Sequence, residues 1–171
     1  MHGIRYIDEF ISSPEDLFRL LRDNVIWDTS MAARRTASFG VAYNYSQIHY
    51  PDTPFIPELI NILNRIDDEL GFEPNNCLIN YYLDGNAKMG FHSDQIDALE
   101  DNTGIAILSV GETRTLRFRN IQDKNEVVDF ELPSGSLIYM TQEVQYVWQH
   151  SIPSSDTNEG RMSLTFRKMK L

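Results

Sequence analysis

Apolar positions along this chain follow two periods, helical before residue 71 and alternating after it. Leu17, Leu20 and Leu21 recur at the spacing that lines one face of a helix. Ser13 caps that helix, Pro14 takes its first position, and Glu15 and Asp16 favour its positive end. A second helix runs from about Pro57 to Leu70, with the stripe Leu59, Ile60, Leu63 and Ile66, and Gly71 stops it. Beyond Gly71 the period becomes two, predicting strands near 77–83, 89–94, 104–110, 114–120, 126–132, 136–141 and 161–168. Asp84-Gly85-Asn86, Asp123-Lys124-Asn125 and Pro133-Ser134-Gly135 supply turns between several of them. Many short strands after two helices predict an α+β, mainly β fold. The best candidate is a double-stranded β-helix, or jelly roll, with the N-terminal helices packed on one sheet.

The stretch between Trp27 and Tyr50 is neither clean helix nor clean strand. It is rich in Arg, Ser, aromatic and small residues, from Arg34-Arg35 through Phe39-Gly40 to Tyr43 and Tyr45. Such a segment fits a cover over an active site that stacks on a flat substrate, and equally a packed surface hairpin.

With 171 residues, one domain spanning 1–171 is the expectation, large enough to fold without disulfides or a structural metal. The lone Cys77 rules out an intramolecular disulfide framework and fits a reducing compartment. No apolar run is long enough to span a bilayer, and the first residues lack the apolar core of a secretory signal. The expectation is a monomer off the membrane, cytoplasmic or, in a eukaryote, nuclear. A net charge of -10 argues against tight non-specific binding to long duplex DNA, which depends on neutralising many phosphates. Arg34-Arg35 and the cluster Arg114, Arg117 and Arg119 fit either a local basic groove or ordinary solvated arginines.

His92 and Asp94 are two residues apart, so an extended chain points both the same way. The chain has four histidines, and His150 lies between the aromatic run Val144 through Trp148 and a turn at Ser151-Ile152-Pro153. Two imidazoles and one carboxylate hold Fe(II) on one face and leave the other open. An isolated His-x-Asp equally fits turn capping; the C-terminal strand adds the independent half. There Arg161, Ser163, Thr165 and Arg167 share one face, and Met162, Leu164 and Phe166 the other. A cationic, hydroxylic face is costly to bury without a partner, and guanidinium forks suit carboxylates. Asn80 and Tyr82 share a face that suits the same anion.

Taken together, these residues resemble the AlkB family of Fe(II)/2-oxoglutarate-dependent dioxygenases. The matching elements are Asn80-x-Tyr82, Gly90 followed by His92-x-Asp94, Ile107-Leu108-Ser109-Val110-Gly111, Gly135-Ser136-Leu137, Trp148-x-His150 and Arg161-x-Ser163-Leu164-Thr165-Phe166-Arg167. They fall in order over about residues 77–168, far more specific than any one motif. Arg35 through Gly40 and Tyr43-x-Tyr45-Ser46 resemble, more loosely, the nucleotide-recognition region of repair members.

The resemblance implies iron on His92, Asp94 and His150, and 2-oxoglutarate on Asn80, Tyr82, Arg161, Ser163 and Arg167. Arg167 meets the carboxylate beside the keto group, and Arg161 the distal one. Residues 77–168 become the catalytic core, and about 1–76 the helical and substrate-covering region. It further implies oxidative demethylation with molecular oxygen as co-substrate. The substrate is an N-alkylated base in single-stranded DNA or RNA, or a short alkylated nucleic acid, met by Arg35, Phe39, Tyr43 and Tyr45. Two departures stand out. Ser163 replaces an Asn common in the family, and Ile96 stands two past the metal Asp, where repair members often carry an acid that contacts the base. Ile96 and the net charge motivate an alternative, an oxygenase acting on a protein, lipid or small molecule. A non-catalytic jelly-roll binding module is the third reading, opposed by the intact metal and arginine sets.

Overall fold

The computed structural model describes residues 1–43 and 49–171. The described strands form two antiparallel sheets. The larger has the order β1 (Ile4–Ile7), β8 (Leu137–Met140), β5 (Ile105–Gly111), β10 (Arg161–Arg167), β3 (Asn76–Tyr82) and β2 (Arg35–Gly40). The smaller has the order β4 (Met89–His92), β9 (Trp148–Ile152), β6 (Arg114–Asn120) and β7 (Val127–Leu132). The predicted jelly roll is thus the observed architecture.

Side-chain alternation along the central strands separates two cores. Met162, Leu164 and Phe166 of β10, with Ala106, Leu108 and Val110 of β5, pack beneath α1 (Pro14–Asn24) and α2 (Pro57–Leu70). The opposite faces, including Ile105, Ile107 and Ile138, meet Leu116, Phe118 and Ile152 of the smaller sheet. The alternate residues of β10 therefore point between the sheets, where the metal candidates lie. Gly71 ends α2 in the left-handed conformation, φ 81°, which glycine adopts without steric cost.

Several local expectations need correction. Ser13 precedes α1, but its side chain makes no capping bond; its carbonyl accepts from Leu17 instead. The buried stripe of α2 is Leu59, Ile62, Leu63 and Ile66, while Ile60 is 44% exposed. β1, β2, the short helix α3 (Val144–Val147) and β9 were not predicted. Ser151 and Ile152, read as part of a turn, continue the strand that carries His150. β4 ends at His92, so Asp94 stands in the loop beyond it.

Candidate active site

Cross-strand pairing assembles the three metal candidates. His92 at the end of β4 is the register partner of His150 on β9, so their imidazoles stand side by side, ring centroids 4.3 Å apart. Asp94 enters from the following loop. Its Oδ1 lies 3.5 Å from His92 Nε2 and 3.4 Å from His150 Nε2. The three ligand atoms fall within 4.8 Å of one another. His92 Nδ1 faces the Gly90 carbonyl at 2.9 Å. A carbonyl only accepts, so Nδ1 carries the proton and Nε2 keeps its lone pair for a metal.

The loop that presents Asp94 is held at three successive residues. Ser93 Oγ donates to the Trp148 carbonyl (3.0 Å). The Asp94 N–H donates to Gln145 Oε1 (2.7 Å). The Gln95 N–H donates to Tyr43 Oη (3.0 Å), which donates to the Gln95 carbonyl (3.2 Å). Gln145, on α3, is buried and gives its amide to Met140 Sδ (3.0 Å). Sequence reasoning missed it: a four-residue helix has no readable period, and its partner lies 51 residues away.

Electrostatics set the protonation of the triad. Burial pushes Asp94 up, but the charge of Arg167 and the bonds to His150 and His92 outweigh it and hold the carboxyl well below the usual range. Burial pushes His150 down, against the opposing pull of Asp94, and favours a neutral imidazole. At His92 burial also disfavours charge, but the Asp94 bond and charge, aided by the Gly90 carbonyl, raise its pKa. Neutral imidazoles and an ionised carboxylate are what a divalent metal takes.

The same cavity brings Asn80, Tyr82, Arg161, Ser163 and Arg167 together with the triad, walled by Ile107, Leu116, Leu132 and Ile152. Arg167 Nη2 donates to Asp94 Oδ2 at 2.6 Å and its guanidinium lies 3.8 Å from the centre of the Tyr43 ring. Arg161 Nη2 donates to Ser109 Oγ at 2.9 Å. The Nε and Nη1 atoms of both arginines are buried with no partner among the described residues. Arg161 has no carboxylate partner there either, and burial pushes it down to about 10. Four orphaned guanidinium nitrogens in an enclosed cavity are a demand for an anion, and a dicarboxylate meets it at both ends. Tyr82 is kept a neutral phenol by burial, which outweighs nearby Arg161, and it hydrogen-bonds Ser163. The residues present fit both Fe(II) and 2-oxoglutarate.

The four substrate candidates fare differently. Tyr43 is buried and occupied with Arg167 and Gln95, so it braces the metal loop. Phe39 is 7% exposed and packs in the core under the helices, which corrects its reading as a stacking platform. Arg35 is exposed outside the groove that opens onto the metal candidates; Arg34 lines that groove and donates from Nε to Asn80 Oδ1 at 2.8 Å. Arg34 stands just before β2 and Arg35 is its first residue, so a one-residue difference decides which arginine enters. Tyr45 lies outside the described residues. Arg114, Arg117 and Arg119 form no shared basic groove. Arg114 is buried and donates to three backbone carbonyls, Arg117 pairs with Asp129, and Arg119 covers the Phe91 ring.

Residues 16–167 match the profile of the 2OG-Fe(II) oxygenase superfamily. The chain is 34% identical over 131 residues to uncharacterized protein R406 of Acanthamoeba polyphaga mimivirus, covering 75% of this chain and 68% of that one. It is 33% identical over 145 residues to alpha-ketoglutarate-dependent dioxygenase alkB homolog 3 of Rattus norvegicus, covering 78% and 49%. It is 31% identical over 163 residues to DNA oxidative demethylase ALKBH2 of Homo sapiens, covering 89% and 62%. The chain thus spans about half to two-thirds of the length of these relatives. The solved structure of OsALKBH1 superposes with a TM-score of 0.76 at 16% identity, covering 97% of this chain and 98% of that one, a likeness of fold. Among the described residues no helix is long and apolar enough to cross a membrane.

Proposed function

From the premise that this chain belongs to the 2OG-Fe(II) oxygenase superfamily and, within it, to the AlkB family, we propose that it is an Fe(II)- and 2-oxoglutarate-dependent dioxygenase that removes alkyl groups from N-alkylated bases in single-stranded DNA or RNA. One observation carries the reading: a His-Asp-His cluster opens into the cavity where two buried arginines leave four nitrogens unpaired. Iron(II) with 2-oxoglutarate and molecular oxygen supplies C–H hydroxylation. One oxygen atom enters the substrate methyl group, the other enters succinate, and carbon dioxide leaves. The hydroxymethyl group on nitrogen then departs as formaldehyde; its hydroxyl proton goes to the ring nitrogen of a neutral base, or is released to solvent from a cationic one, whose nitrogen keeps the lone pair.

The chain's own residues bind, orient and exclude water. His92, Asp94 and His150 would hold the metal. Arg167, which bonds Asp94, would take the carboxylate next to the keto group. Arg161 and Tyr82 would take the distal carboxylate, with Asn80 donating from β3 and Ser163 from β10 itself. The apolar wall of Ile107, Leu116, Leu132 and Ile152 strengthens every one of these contacts by excluding water. Residues 1–171 act as one domain, with 77–168 as catalytic core and the earlier segment supplying α1, α2 and the groove wall. We read it as a monomer acting in the cytoplasm or nucleus.

The alternative, an oxygenase of a protein, lipid or small molecule, is favoured by Ile96, which packs toward the core between the sheets and presents no acid to a base. Mass spectrometry of short single-stranded oligonucleotides carrying single methylated bases, with succinate followed in parallel, separates the two. Loss of the methyl group with matching succinate supports dealkylation. Succinate without base repair rejects it in favour of the alternative.

A further inference from the structure

The groove that opens onto His92 and Asp94 holds one charge, that of Arg34, which no carboxylate among its described lining residues balances. Arg34, half-buried at its rim, bonds Asn80 through Nε and has no carboxylate partner among the described residues. Asp94 is the single carboxylate among the described residues that line the groove, and it is bound by Arg167 at 2.6 Å. Gln95 lines the groove with a neutral carboxamide on a backbone pinned at both ends by Tyr43. Asp97 is exposed and does not line it. With the metal and 2-oxoglutarate in place, iron(II) and the two arginines outweigh Asp94 and the dianion by one positive charge. Exposed charges farther than about 8 Å are largely screened at physiological salt, so charge lining the groove weighs more on what docks than the net charge of -10.

Resting on the dealkylation reading, we propose that this groove selects neutral N-methylated bases bearing a ring carbonyl over the cationic, amino-bearing ones. A ring nitrogen that carries no hydrogen in the parent base, as in 1-methyladenine or 3-methylcytosine, leaves the base cationic at neutral pH when methylated. A ring nitrogen that carries a hydrogen in the parent base, as in 3-methyluracil or 1-methylguanine, exchanges it for the methyl group and leaves the base neutral, with a carbonyl acceptor beside the methylated nitrogen. A cationic base meets Arg34 with no free carboxylate to offset it. A carbonyl base finds donors in the guanidinium of Arg34 and the amide of Gln95, and their hydrogen bonds to it replace those it made to water. Within a few ångström in a half-buried site, a like charge disfavours occupancy by on the order of tenfold or more.

The test is a competition between two single-stranded oligonucleotides identical except for 3-methyluracil or 3-methylcytosine, offered to the iron- and 2-oxoglutarate-loaded protein. These bases differ only in the ring carbonyl or amine and hence in charge. The expected kcat/KM favours 3-methyluracil by on the order of tenfold. Gln95→Glu, which keeps the shape and adds a carboxylate, moves that ratio toward 3-methylcytosine by a similar factor, and Arg34→Gln moves it the same way. Preference of the unaltered protein for 3-methylcytosine overturns the inference and leaves dealkylation standing. So does a ratio that neither variant moves. Steady succinate with neither base repaired overturns the dealkylation reading and this inference with it.

Discussion

Arg161 is 1% exposed, donates one hydrogen bond to Ser109, and leaves Nε and Nη1 unpaired. Replacing it with Met removes a buried cation that Ser109 and the Tyr82 ring compensate only in part and that has no carboxylate partner among the described residues. Burial pushes the guanidinium from 12.5 down to about 10. At about 1.4 kcal/mol per tenfold in proton affinity, that is a cost of roughly 3 kcal/mol. The sign follows from linkage. A base whose folded pKa lies below its unfolded one destabilises the fold at every pH where both states are protonated, neutral pH included. Loss of the Ser109 bond returns about 1 kcal/mol. The apoprotein of Arg161→Met is therefore more stable by about 2 kcal/mol, a rise in Tm of roughly 4–8 °C for a chain of this size. The same change removes the desolvated partner proposed for the distal 2-oxoglutarate carboxylate, an expected loss of about 2–5 kcal/mol, or roughly thirtyfold to several thousandfold in affinity. Thermal unfolding of the apoprotein and a 2-oxoglutarate titration read the two effects separately. A fall in Tm of several degrees with unchanged 2-oxoglutarate affinity would refute the reasoning and make Arg161 a structural staple.

Gln145→Leu removes the acceptor of the Asp94 N–H and relieves a buried amide whose other contact is a thioether. Co(II) affinity of the apoprotein falls about tenfold to a hundredfold while Tm stays within a few degrees; unchanged affinity removes Gln145 from the metal site. Lowering pH from about 8 to about 6 weakens Co(II) binding, because His92 has a raised pKa and a proton on Nε2 displaces the metal. Burial favours a neutral His150, so below the raised pKa of His92 the dependence approaches tenfold per pH unit, and a flat or two-proton profile contradicts the assignment. Phe39→Ala costs about 3–5 kcal/mol in denaturant unfolding without changing the ratio of coupled to uncoupled 2-oxoglutarate turnover. A selective loss of coupled turnover restores Phe39 to the substrate face.

The strands beyond Gly71 were legible where their two faces differ. Arg161, Ser163, Thr165 and Arg167 alternate with Met162, Leu164 and Phe166, and the structure puts the first set in the cavity and the second under the helices. β2 was not legible for the opposite reason. Thr36, Ala37, Ser38 and Phe39 are all buried, so neither face declares itself, and Phe39 passes for an aromatic at the surface. Asp94 was expected on a strand, yet its position comes from a loop pinned by Tyr43, Gln145 and Trp148. Those partners lie about 50 residues away in sequence, and no local pattern marks such contacts. Ile60 and Ile62 exchange places because periodicity locates an apolar stripe and packing against the sheet decides its edge.

The central claim is that the His92, Asp94 and His150 cluster and the arginine pair work as one oxidative dealkylation site. Its most direct test measures succinate, formaldehyde and unmethylated base together, in one reaction on a methylated single-stranded oligonucleotide, with Asp94→Ala run alongside. The unaltered protein is expected to give formaldehyde and unmethylated base in equal yield with at least as much succinate, and a folded Asp94→Ala to give none of the three. Formaldehyde and repaired base formed at the same rate by Asp94→Ala, or without 2-oxoglutarate, would contradict it.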